Sequence, residues 1–234
     1  MQFSNINIMG VINITPNSFS DGSLYNTKDS FETKFNKSCS DFDILDLGAE
    51  STAPFNDEVP LDDELERFEK VLYPLLRSSA DNGLTISIDT YKVEVFESVY
   101  KEIKKYWPQT NIIFNDISGK IDEKLISILD SNLDFSYVYS HNLCPTRELS
   151  IKHIDYLTED EIISHMNSYF VSGLGTLTSF SKNIILDPCF GFSKTRVQNH
   201  ELLKGLNRVL EGINEKYSLL IGILRKSFLR FPRD

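Results

Sequence analysis

The stretch Ile184-Ile-Leu-Asp-Pro-Cys-Phe-Gly-Phe-Ser-Lys194 is the most informative part of this sequence. Its apolar beginning is typical of a short buried strand that ends at Asp187, and a turn with Pro188 and Gly191 follows. A helical pattern then begins at Arg196. Ligand-binding groups of α/β proteins stand at the C-terminal ends of buried strands, beside such turns. We therefore expect Asp187 to belong to a binding site.

Three more apolar runs end in a carboxylate or a carboxamide. These residues are Asp89 after 84–88, Asn115 and Asp116 after 112–114, and Asn13 after 6–12. The carboxyl ends of parallel strands meet at one edge of a sheet. The pattern therefore predicts that Asp89, Asn115 and Asp187 line one pocket.

Strand-like and helix-like segments alternate along the chain, which predicts a parallel sheet. The predicted strands are 6–12, 43–47, 84–88, 112–115, 135–139, 183–187 and 218–222. The predicted helices are about 28–40, 61–80, 91–106, 122–131, 159–178 and 196–214. Two α/β architectures fit this pattern, a (β/α)₈ barrel of the TIM type and an open doubly wound sheet. We expect the barrel, because site-like residues follow nearly every strand, whereas an open sheet concentrates them at one switch point.

The helix boundaries carry their own signals. The second helix has an apolar stripe at helical spacing, made of Leu61, Leu65, Phe68, Leu72 and Leu75 or Leu76. We expect Asp62 or Asp63 to cap this helix and Asp122 to begin the fourth.

Composition excludes several classes of protein. A formal net charge of −10 argues against general nucleic-acid binding, which needs a basic surface. No run approaches the roughly 18 apolar residues of a membrane span, so no membrane partner is expected. The three widely spaced cysteines suit a reducing cytoplasm better than a disulfide framework or a zinc site. The 234 residues suit one large α/β domain over 1–234.

The predicted seventh strand ends near Gly222, and the sequence stops at Asp234. A closed barrel needs another helix, an eighth strand and a final helix, about 40 more residues at the usual barrel length. We therefore expect the last helix–strand–helix unit to be lacking here, either because the chain is C-terminally incomplete or because it departs from the complete fold.

The run Met9-Gly-Val-Ile-Asn-Ile-Thr-Pro-Asn-Ser-Phe-Ser-Asp-Gly22 joins a strand end to a polar turn. The carboxamide oxygen of Asn13 at that strand end suits a hard cation such as Mg²⁺. An ordinary strand-to-helix loop would explain the same composition.

This run resembles the N-terminal motif of the dihydropteroate synthases, and five further stretches resemble motifs of that family in the same order. They are Asp46-Leu-Gly-Ala-Glu-Ser-Thr-Ala-Pro54, Ser87-Ile-Asp-Thr-Tyr-Lys92, Asn115-Asp-Ile-Ser-Gly119, Leu186-Asp-Pro-Cys-Phe-Gly-Phe-Ser-Lys194 and Leu224-Arg-Lys-Ser-Phe228. The resemblance implies a (β/α)₈ barrel that works in folate biosynthesis. Its reaction joins 6-hydroxymethyl-7,8-dihydropterin pyrophosphate to p-aminobenzoate, forming 7,8-dihydropteroate and pyrophosphate.

The residue types fit this chemistry. Asp187 can accept two N–H bonds from the aminopyrimidinone edge of a pterin, and Asn115 offers both a donor and an acceptor. Asp89 is expected to orient the ring, and Lys226 to donate to it and to add positive charge near the leaving group. Mg²⁺ held in part by Asn13 would assist the departing diphosphate. The competing structural explanations are helix capping for the two aspartates and a solvated surface position for the lysine.

The resemblance alone implies the pocket for p-aminobenzoate, the substrate with which sulfonamides compete. Phe192 would form its flat apolar wall, and Ser227 or a nearby backbone N–H would meet the carboxylate. The residues that the resemblance implies for substrate binding are Thr52, Pro54, Gly191, Phe192, Lys226 and Ser227.

The chain departs from the family pattern at several places. Ala53 stands where the family usually has arginine, and Cys189 where it usually has glycine. His141 matches the family histidine of the fifth strand only to within about a residue. The family's last motif, Arg-Val-His-Asp on the eighth strand, is absent.

Two other functions compete with a dihydropteroate synthase. A non-catalytic pterin-binding homologue would account for Ala53 and for the absent last motif. A pterin-dependent methyltransferase would share the barrel and the pterin-binding carboxylates. Lys226, Ser227 and the Pro-Asn-Ser-Phe-Ser-Asp loop favour the synthase. The oligomeric state stays open, and a homodimer is one assembly that the resemblance allows.

Overall fold

The computed structural model describes residues 6–14, 28–50, 57–81, 83–142, 157–180, 183–213, 216–224 and 226–229. The strands are β1 (Met9–Asn13), β2 (Ile44–Gly48), β3 (Thr85–Asp89), β4 (Asn111–Asp116), β5 (Ser136–Ser140), β6 (Asn183–Asp187) and β7 (Ser218–Leu219). The helices are α1 (Lys28–Asp41), α2 (Leu61–Ser78), α3 (Val93–Tyr106), α4 (Glu123–Leu129), α5 (Glu159–Leu177), α6 (Arg196–Lys204) and α7 (Leu206–Val209), with short 3₁₀ turns at Thr178–Phe180 and Ser227–Leu229. All seven predicted strands are confirmed, although β7 is shorter than the predicted 218–222.

The strands form one sheet whose order, β1 to β7, is the order of the chain. Every neighbouring pair is parallel. A doubly wound sheet reverses its strand order at a switch point, so that architecture is excluded. Consecutive crossovers of one hand place the helices on one face, and the sheet curls with its other face on the concave side. The predicted TIM-type barrel fold is therefore confirmed.

The two faces of the strands differ in chemistry because successive side chains point to opposite sides. The face toward the helices is apolar and buried, with Leu45, Leu47, Ile86, Ile88, Ile112, Phe114, Tyr137, Tyr139, Ile184 and Leu186. The concave face changes from apolar to polar toward the strand ends, from Ile113 to Asn115 in β4 and from Ile185 to Asp187 in β6. This polar end holds the candidate site.

The apolar stripe predicted for α2 is confirmed, since Phe68, Leu72, Leu75 and Leu76 are buried. The predicted cap is wrong: Pro60 occupies the N-cap position without a side-chain hydrogen bond, and Asp62 and Asp63 lie inside the first turn. Proline presets the backbone for helix entry, and acids in a first turn interact favourably with the helix dipole. The prediction that Asp122 begins the fourth helix is confirmed: it is the N-cap residue of α4, and its side chain accepts from the Leu125 N–H. Among the described residues, no helix combines the length and the hydrophobicity that a membrane span requires.

The prediction of one helix over 196–214 is wrong, because the segment divides at Gly205 into α6 and α7. A Cβ atom at Gly205 would lie 2.3 Å from Cδ1 of Ile163 in α5. Glycine therefore permits the close approach of this segment to α5, and it also weakens helix continuation. That contact between distant residues is invisible in the local pattern.

Gly119 lies in the turn after β4 and packs against the end of β5. Its backbone has a φ of +64°, and a Cβ atom there would lie 2.4 Å from the carbonyl oxygen of Ser140. The hydroxyl of Tyr169 lies 2.9 Å from the carbonyl oxygens of both Gly119 and Ser140. Gly119 thus allows the turn after β4 to pack directly against the end of β5.

We predict that Gly119→Ala lowers the free energy of unfolding by roughly 2–4 kcal/mol, from overpacking and from the cost of a left-handed conformation. Gly175→Ala in α5 is the matched control, because its added Cβ meets nothing within 4 Å. That control should raise the free energy of unfolding by about 0.5–1 kcal/mol. Urea unfolding measures both. Equal effects of the two variants would contradict this account of Gly119.

Asp116 ends β4 on the side that faces the helices and is 3% exposed. Its Oδ1 accepts from the Ser118 N–H at 2.7 Å, and its Oδ2 accepts from the Tyr137 hydroxyl at 3.2 Å. Burial raises the pKa of Asp116 from 3.8 to about 6, although these hydrogen bonds oppose the rise. The folded state therefore holds a proton on Asp116 more tightly than the unfolded chain does.

The stability contributed by that proton is present in full below pH 3.8 and is lost as the pH rises through about 6. We predict that wild type loses about 2 kcal/mol relative to Asp116→Asn between about pH 4 and pH 7, because part of the roughly 3 kcal/mol total, at 1.36 kcal/mol per pKa unit, is already lost at pH 4. Urea unfolding across this range measures the difference. Asp130→Asn, at an exposed carboxylate, controls for the charge removed. A difference between wild type and Asp116→Asn that does not vary with pH would contradict the prediction.

Candidate active site

The sheet register brings the predicted site residues together. Asn13 in β1 pairs with Gly48 in β2, Gly48 pairs with Asp89 in β3, and Asp89 pairs with Asn115 in β4. Asp187 ends β6 and pairs with Ser140 at the end of β5. The structure therefore places Asp89, Asn115 and Asp187 at the same end of the sheet, as the sequence predicts.

Gly48 leaves the space that Asp89 occupies. A Cβ atom at Gly48 would lie 3.0 Å from Oδ2 of Asp89. Neither predicted aspartate caps the helix that follows it, since the N-cap residues are Lys92 for α3 and Thr195 for α6. Helix capping is therefore not what holds these two carboxylates in place.

Asp46 in β2 is a further member of the site that the sequence analysis did not select. Its Oδ1 accepts a hydrogen bond of 3.0 Å from Nδ2 of Asn115. The carboxylate is 5% exposed; burial raises its pKa, and the Ser87 hydroxyl opposes that rise. A charged residue inside an otherwise apolar strand was the available sequence signal. The bond to Asp46 engages the amide N–H of Asn115 and leaves its carbonyl oxygen as the atom that can meet a ligand.

The carboxyl groups of the site bind protons more tightly than usual. Burial raises the pKa of Asp46, and the charge of Asp187 adds to the rise. Burial also raises the pKa of Asp89 well above its usual value, and the nearby charges of Asp46 and Glu64 add to it. Protein atoms surround Asp89 and Asp187, but both side chains are only partly buried and keep some exposed surface on the concave side of the sheet. Such an environment favours ligands that present N–H donors or positive charge.

A buried ion cluster stands beside Asp89. Lys92 Nζ donates to Oε2 of Glu50, with which it forms a close ion pair, and to Oε2 of Glu64 at 2.8 Å. Burial raises the pKa of Glu64, and Lys92 opposes that rise. Glu50 also accepts from the Val59 N–H at 3.3 Å. Glu50, which follows β2, and Glu64, in α2, are thus both bound to Lys92, which lies shortly after Asp89.

The turn after β6 encloses the carboxylate of Asp187. Oδ1 accepts from the Cys189 N–H at 2.7 Å, and Oδ2 lies 3.5 Å from the Cys189 sulfur. Cys189 has a φ of +50°, so the residue that stands in place of the usual family glycine takes a left-handed conformation. Burial raises the pKa of Asp187, whereas its hydrogen bonds and the charges of Lys194 and Lys226 lower it.

Lys226 approaches the same turn from the end of the described chain. Its Nζ lies 4.4 Å from the centroid of the Phe192 ring. Gly191 has a φ of +82°, and a Cβ atom there would lie 3.2 Å from Cδ of Lys226. Burial lowers the pKa of Lys226, and the charge of Asp187 opposes that effect. The structure thus brings Gly191, Phe192 and Lys226 together near Asp187.

Lys194 stabilises the turn after β6 through hydrogen bonds, a role that the sequence analysis did not predict. It is 2% exposed, and its Nζ donates to the carbonyl oxygens of His141, Cys189 and Phe192 at 3.2, 3.2 and 3.1 Å. The His141 ring is fully buried against Tyr169, and burial holds its pKa well below the usual value. His141 is therefore a neutral packing residue behind the site.

Some predicted residues cannot be placed. Thr52, Ala53 and Pro54 lie outside the described residues, and so does the side chain of Ser227, whose backbone begins the last 3₁₀ turn. Asn13 is exposed at the end of β1. Within the described ranges no group of three or more histidine, cysteine, aspartate or glutamate side chains is arranged to hold a metal ion. The exposed Asn13 side chain offers a carboxamide oxygen, a ligand type that Mg²⁺ accepts alongside water and phosphate oxygens.

A cavity of about 1160 Å³ opens at the opposite end of the sheet. Its lining includes Thr85, Asn111 and Asn183, which begin their strands. Ligand sites of parallel barrels lie at the carboxyl ends of the strands, and the buried carboxylates lie there too. The large cavity is therefore not the candidate site.

Comparisons with known proteins agree with this geometry. A family model described as pterin binding enzyme matches residues 9–233. The dihydropteroate synthase of Staphylococcus haemolyticus is 30% identical over 95% of this chain and 76% of its own length. The mitochondrial folate synthesis bifunctional protein of Pisum sativum is also 30% identical over 95% of this chain, which spans only 43% of that relative.

A solved structure is similar to this chain in both sequence and fold. The dihydropteroate synthase from Clostridium difficile, determined in the presence of pteroic acid, superposes with a TM-score of 0.72 and 32% identity. The match covers 94% of this chain and 77% of that one. Since the family model spans nearly the whole sequence and the fold agrees with it, this chain belongs to the family of pterin-binding enzymes.

Proposed function

We propose that this protein is a dihydropteroate synthase. It condenses 6-hydroxymethyl-7,8-dihydropterin pyrophosphate with p-aminobenzoate and releases 7,8-dihydropteroate and pyrophosphate. The observation that carries the proposal is the convergence of Asp89, Asn115, Asp187 and Lys226 at the carboxyl end of the sheet, in a chain whose relatives bear that name. Two of the relatives named above are dihydropteroate synthases and the third is a folate synthesis protein, which favours this function over a methyltransferase.

The buried polar side chains at the strand ends, which form the floor of the site, suit the pterin. Asp187 accepts two N–H groups of the aminopyrimidinone edge, a charge-assisted pair that gains strength where water is excluded. The carbonyl oxygen of Asn115 accepts a further ring N–H, because its amide group is held by Asp46. Asp89 orients the ring from the neighbouring strand. The raised proton affinity of these carboxyls is relieved when ring donors replace protons or water.

The chemistry is a displacement at the methylene carbon attached to the ring. The carbon–oxygen bond breaks with its electron pair going to the departing pyrophosphate, the amine nitrogen of p-aminobenzoate bonds to that carbon, and the proton that the amine loses goes to the released pyrophosphate or to water. Lys226 lies close to Asp187 and donates toward the ring and the departing diphosphate, so it supplies electrostatic stabilisation rather than a nucleophile. Asn13 would hold Mg²⁺, which when bound would neutralise charge on the diphosphate.

The second substrate, p-aminobenzoate, lies farther from the strands than the pterin, at the rim of the site that the segments after the strand ends form. Phe192 and Lys226 belong to segments beyond the strand ends, whereas Asp89 and Asn115 lie within the strands. The Phe192 ring offers a flat wall to the aromatic amine, and Thr52, Pro54 and Ser227 complete that pocket by family resemblance. Sulfonamides carry a similar aromatic amine and should compete there. The three widely spaced cysteines of the sequence suit the cytoplasm, where we propose that the enzyme works.

We predict turnover with an ordered binding sequence. Incubation with the pterin pyrophosphate, p-aminobenzoate and Mg²⁺ should release pyrophosphate and form 7,8-dihydropteroate, measured by a coupled assay and by mass spectrometry. Because the pterin fills the floor beneath the rim, calorimetry should detect p-aminobenzoate only after pterin and Mg²⁺ are present. Pterin binding without pyrophosphate release would instead identify a non-catalytic homologue. Equal p-aminobenzoate affinity with and without pterin would refute the order.

We predict that Asp187→Asn weakens binding of the pterin pyrophosphate about 10- to 100-fold, or about 1.5–3 kcal/mol, because a charged acceptor of two N–H groups is lost. Isothermal titration calorimetry measures the change. Asp130→Asn removes the same charge from an exposed position in the described part of the chain and should leave affinity unchanged. Unchanged affinity in Asp187→Asn itself would remove Asp187 from the site.

A further inference from the structure

The Cys189 side chain stands at the carboxylate that is proposed to read the pterin. Its sulfur lies 3.5 Å from Oδ2 of Asp187, while its own backbone N–H reaches Oδ1 at 2.7 Å. Cys189 is 2% exposed and has no disulfide partner among the described residues. One residue therefore contacts both oxygens of the carboxylate.

The direction of the thiol is set by the backbone on both sides of it. The Cys189 N–H is held by Asp187, and its carbonyl oxygen accepts from Nζ of Lys194 at 3.2 Å. The left-handed φ of +50° then turns Cβ and the sulfur toward Oδ2. Because Lys194 is buried and also binds the carbonyl oxygen of Phe192, this conformation cannot relax without moving the whole turn.

The protonation states agree with a thiol that donates. Burial raises the pKa of Cys189 well above its usual value, and the charge of Asp187 adds to the rise, so the sulfur carries its proton. Burial raises the pKa of Asp187, and the hydrogen bonds from Cys189 oppose that rise; the geometry has the sulfur as donor and Oδ2 as acceptor. The pair is therefore S–H donor and carboxylate acceptor, a weak hydrogen bond that a better donor can displace.

We propose that the Cys189 thiol is an internal competitor for Asp187, so that it lowers the affinity of the pterin site by occupying Oδ2, the oxygen that a ligand N–H must reach. This inference rests on the proposed function, because it takes a pterin as the ligand. A glycine or alanine at this position would leave Oδ2 to water, which leaves the site more readily than a covalently attached donor.

The test is a series of substitutions at position 189 with the intact chain. Cys189→Ala removes the donor but keeps Cβ and hence the same backbone strain. Cys189→Ser replaces the thiol with a stronger hydroxyl donor. Cys39→Ala in α1 is the matched control for loss of a thiol away from the site. Calorimetry with 6-hydroxymethyl-7,8-dihydropterin pyrophosphate gives the affinities, and thermal unfolding shows that each variant is folded.

We expect Cys189→Ala to bind the pterin at least threefold more tightly than wild type, Cys189→Ser to bind it at least threefold more weakly, and Cys39→Ala to bind it unchanged. If an alanine or serine variant does not fold, Cys189→Gly also lacks the donor, carries no strained Cβ, and should bind more tightly than wild type. Equal affinities of the cysteine and alanine forms, or shifts of the alanine and serine forms in the same direction, would overturn the proposal.

A spectroscopic measurement separates this proposal from the proposed function. The S–H stretching band, obtained by infrared difference between wild type and Cys189→Ala, should shift to the position of a free thiol in Asp187→Asn and on addition of the pterin. If wild type binds no pterin, the proposed function fails, while the effect of Asp187→Asn on the band still decides whether the thiol donates to that carboxylate. A band that is insensitive to Asp187→Asn would refute the contact itself.

Discussion

Parallel pairing of consecutive strands in chain order is the constraint on which the site depends. Each strand is hydrogen-bonded to its neighbours in the sequence, so the ends of β1 to β4 form one row across the sheet. Residues from well-separated segments, such as Asp89 and Asn115, then meet without any loop having to carry them. A shift of one residue in any pairing would turn a site carboxylate toward the helices and an apolar side chain toward the concave face.

Burial of carboxylates is the second physical theme. Asp46, Asp89 and Asp187 all have pKa values raised by burial, which marks a cost to the folded protein. The surroundings offset this cost only in part, through Asn115 on Asp46 and through the charges near Asp187. A polar site that is incompletely satisfied by the protein is completed by its ligand, and this is a common source of conflict between stability and function.

The turn after β6 shows how backbone strain can be sustained at such a place. Cys189 and Ser193 both have positive φ without being glycine, and Gly191 lies between them with a φ of +82°. Each left-handed residue with a side chain costs about 1–2 kcal/mol. The buried ammonium of Lys194 gathers three carbonyl oxygens of this region and holds the conformation in place. Strain maintained by surrounding contacts is characteristic of functional sites.

The seven strands, most helices, the barrel-type order of elements and the family can be read from the amino-acid sequence, because short apolar runs and local motifs carry that information. The sequence also indicated Asp89, Asn115 and Asp187, since each ends an apolar run. The folded chain, in contrast, was needed to show that Asn115 is held by Asp46, that Lys194 supports the turn, and that α6 ends where Gly205 meets Ile163. These features depend on contacts between residues distant in the chain, and neither residue type nor spacing encodes such contacts. The direction of the Cys189 thiol belongs to the same class, because a φ angle and a buried lysine set it together.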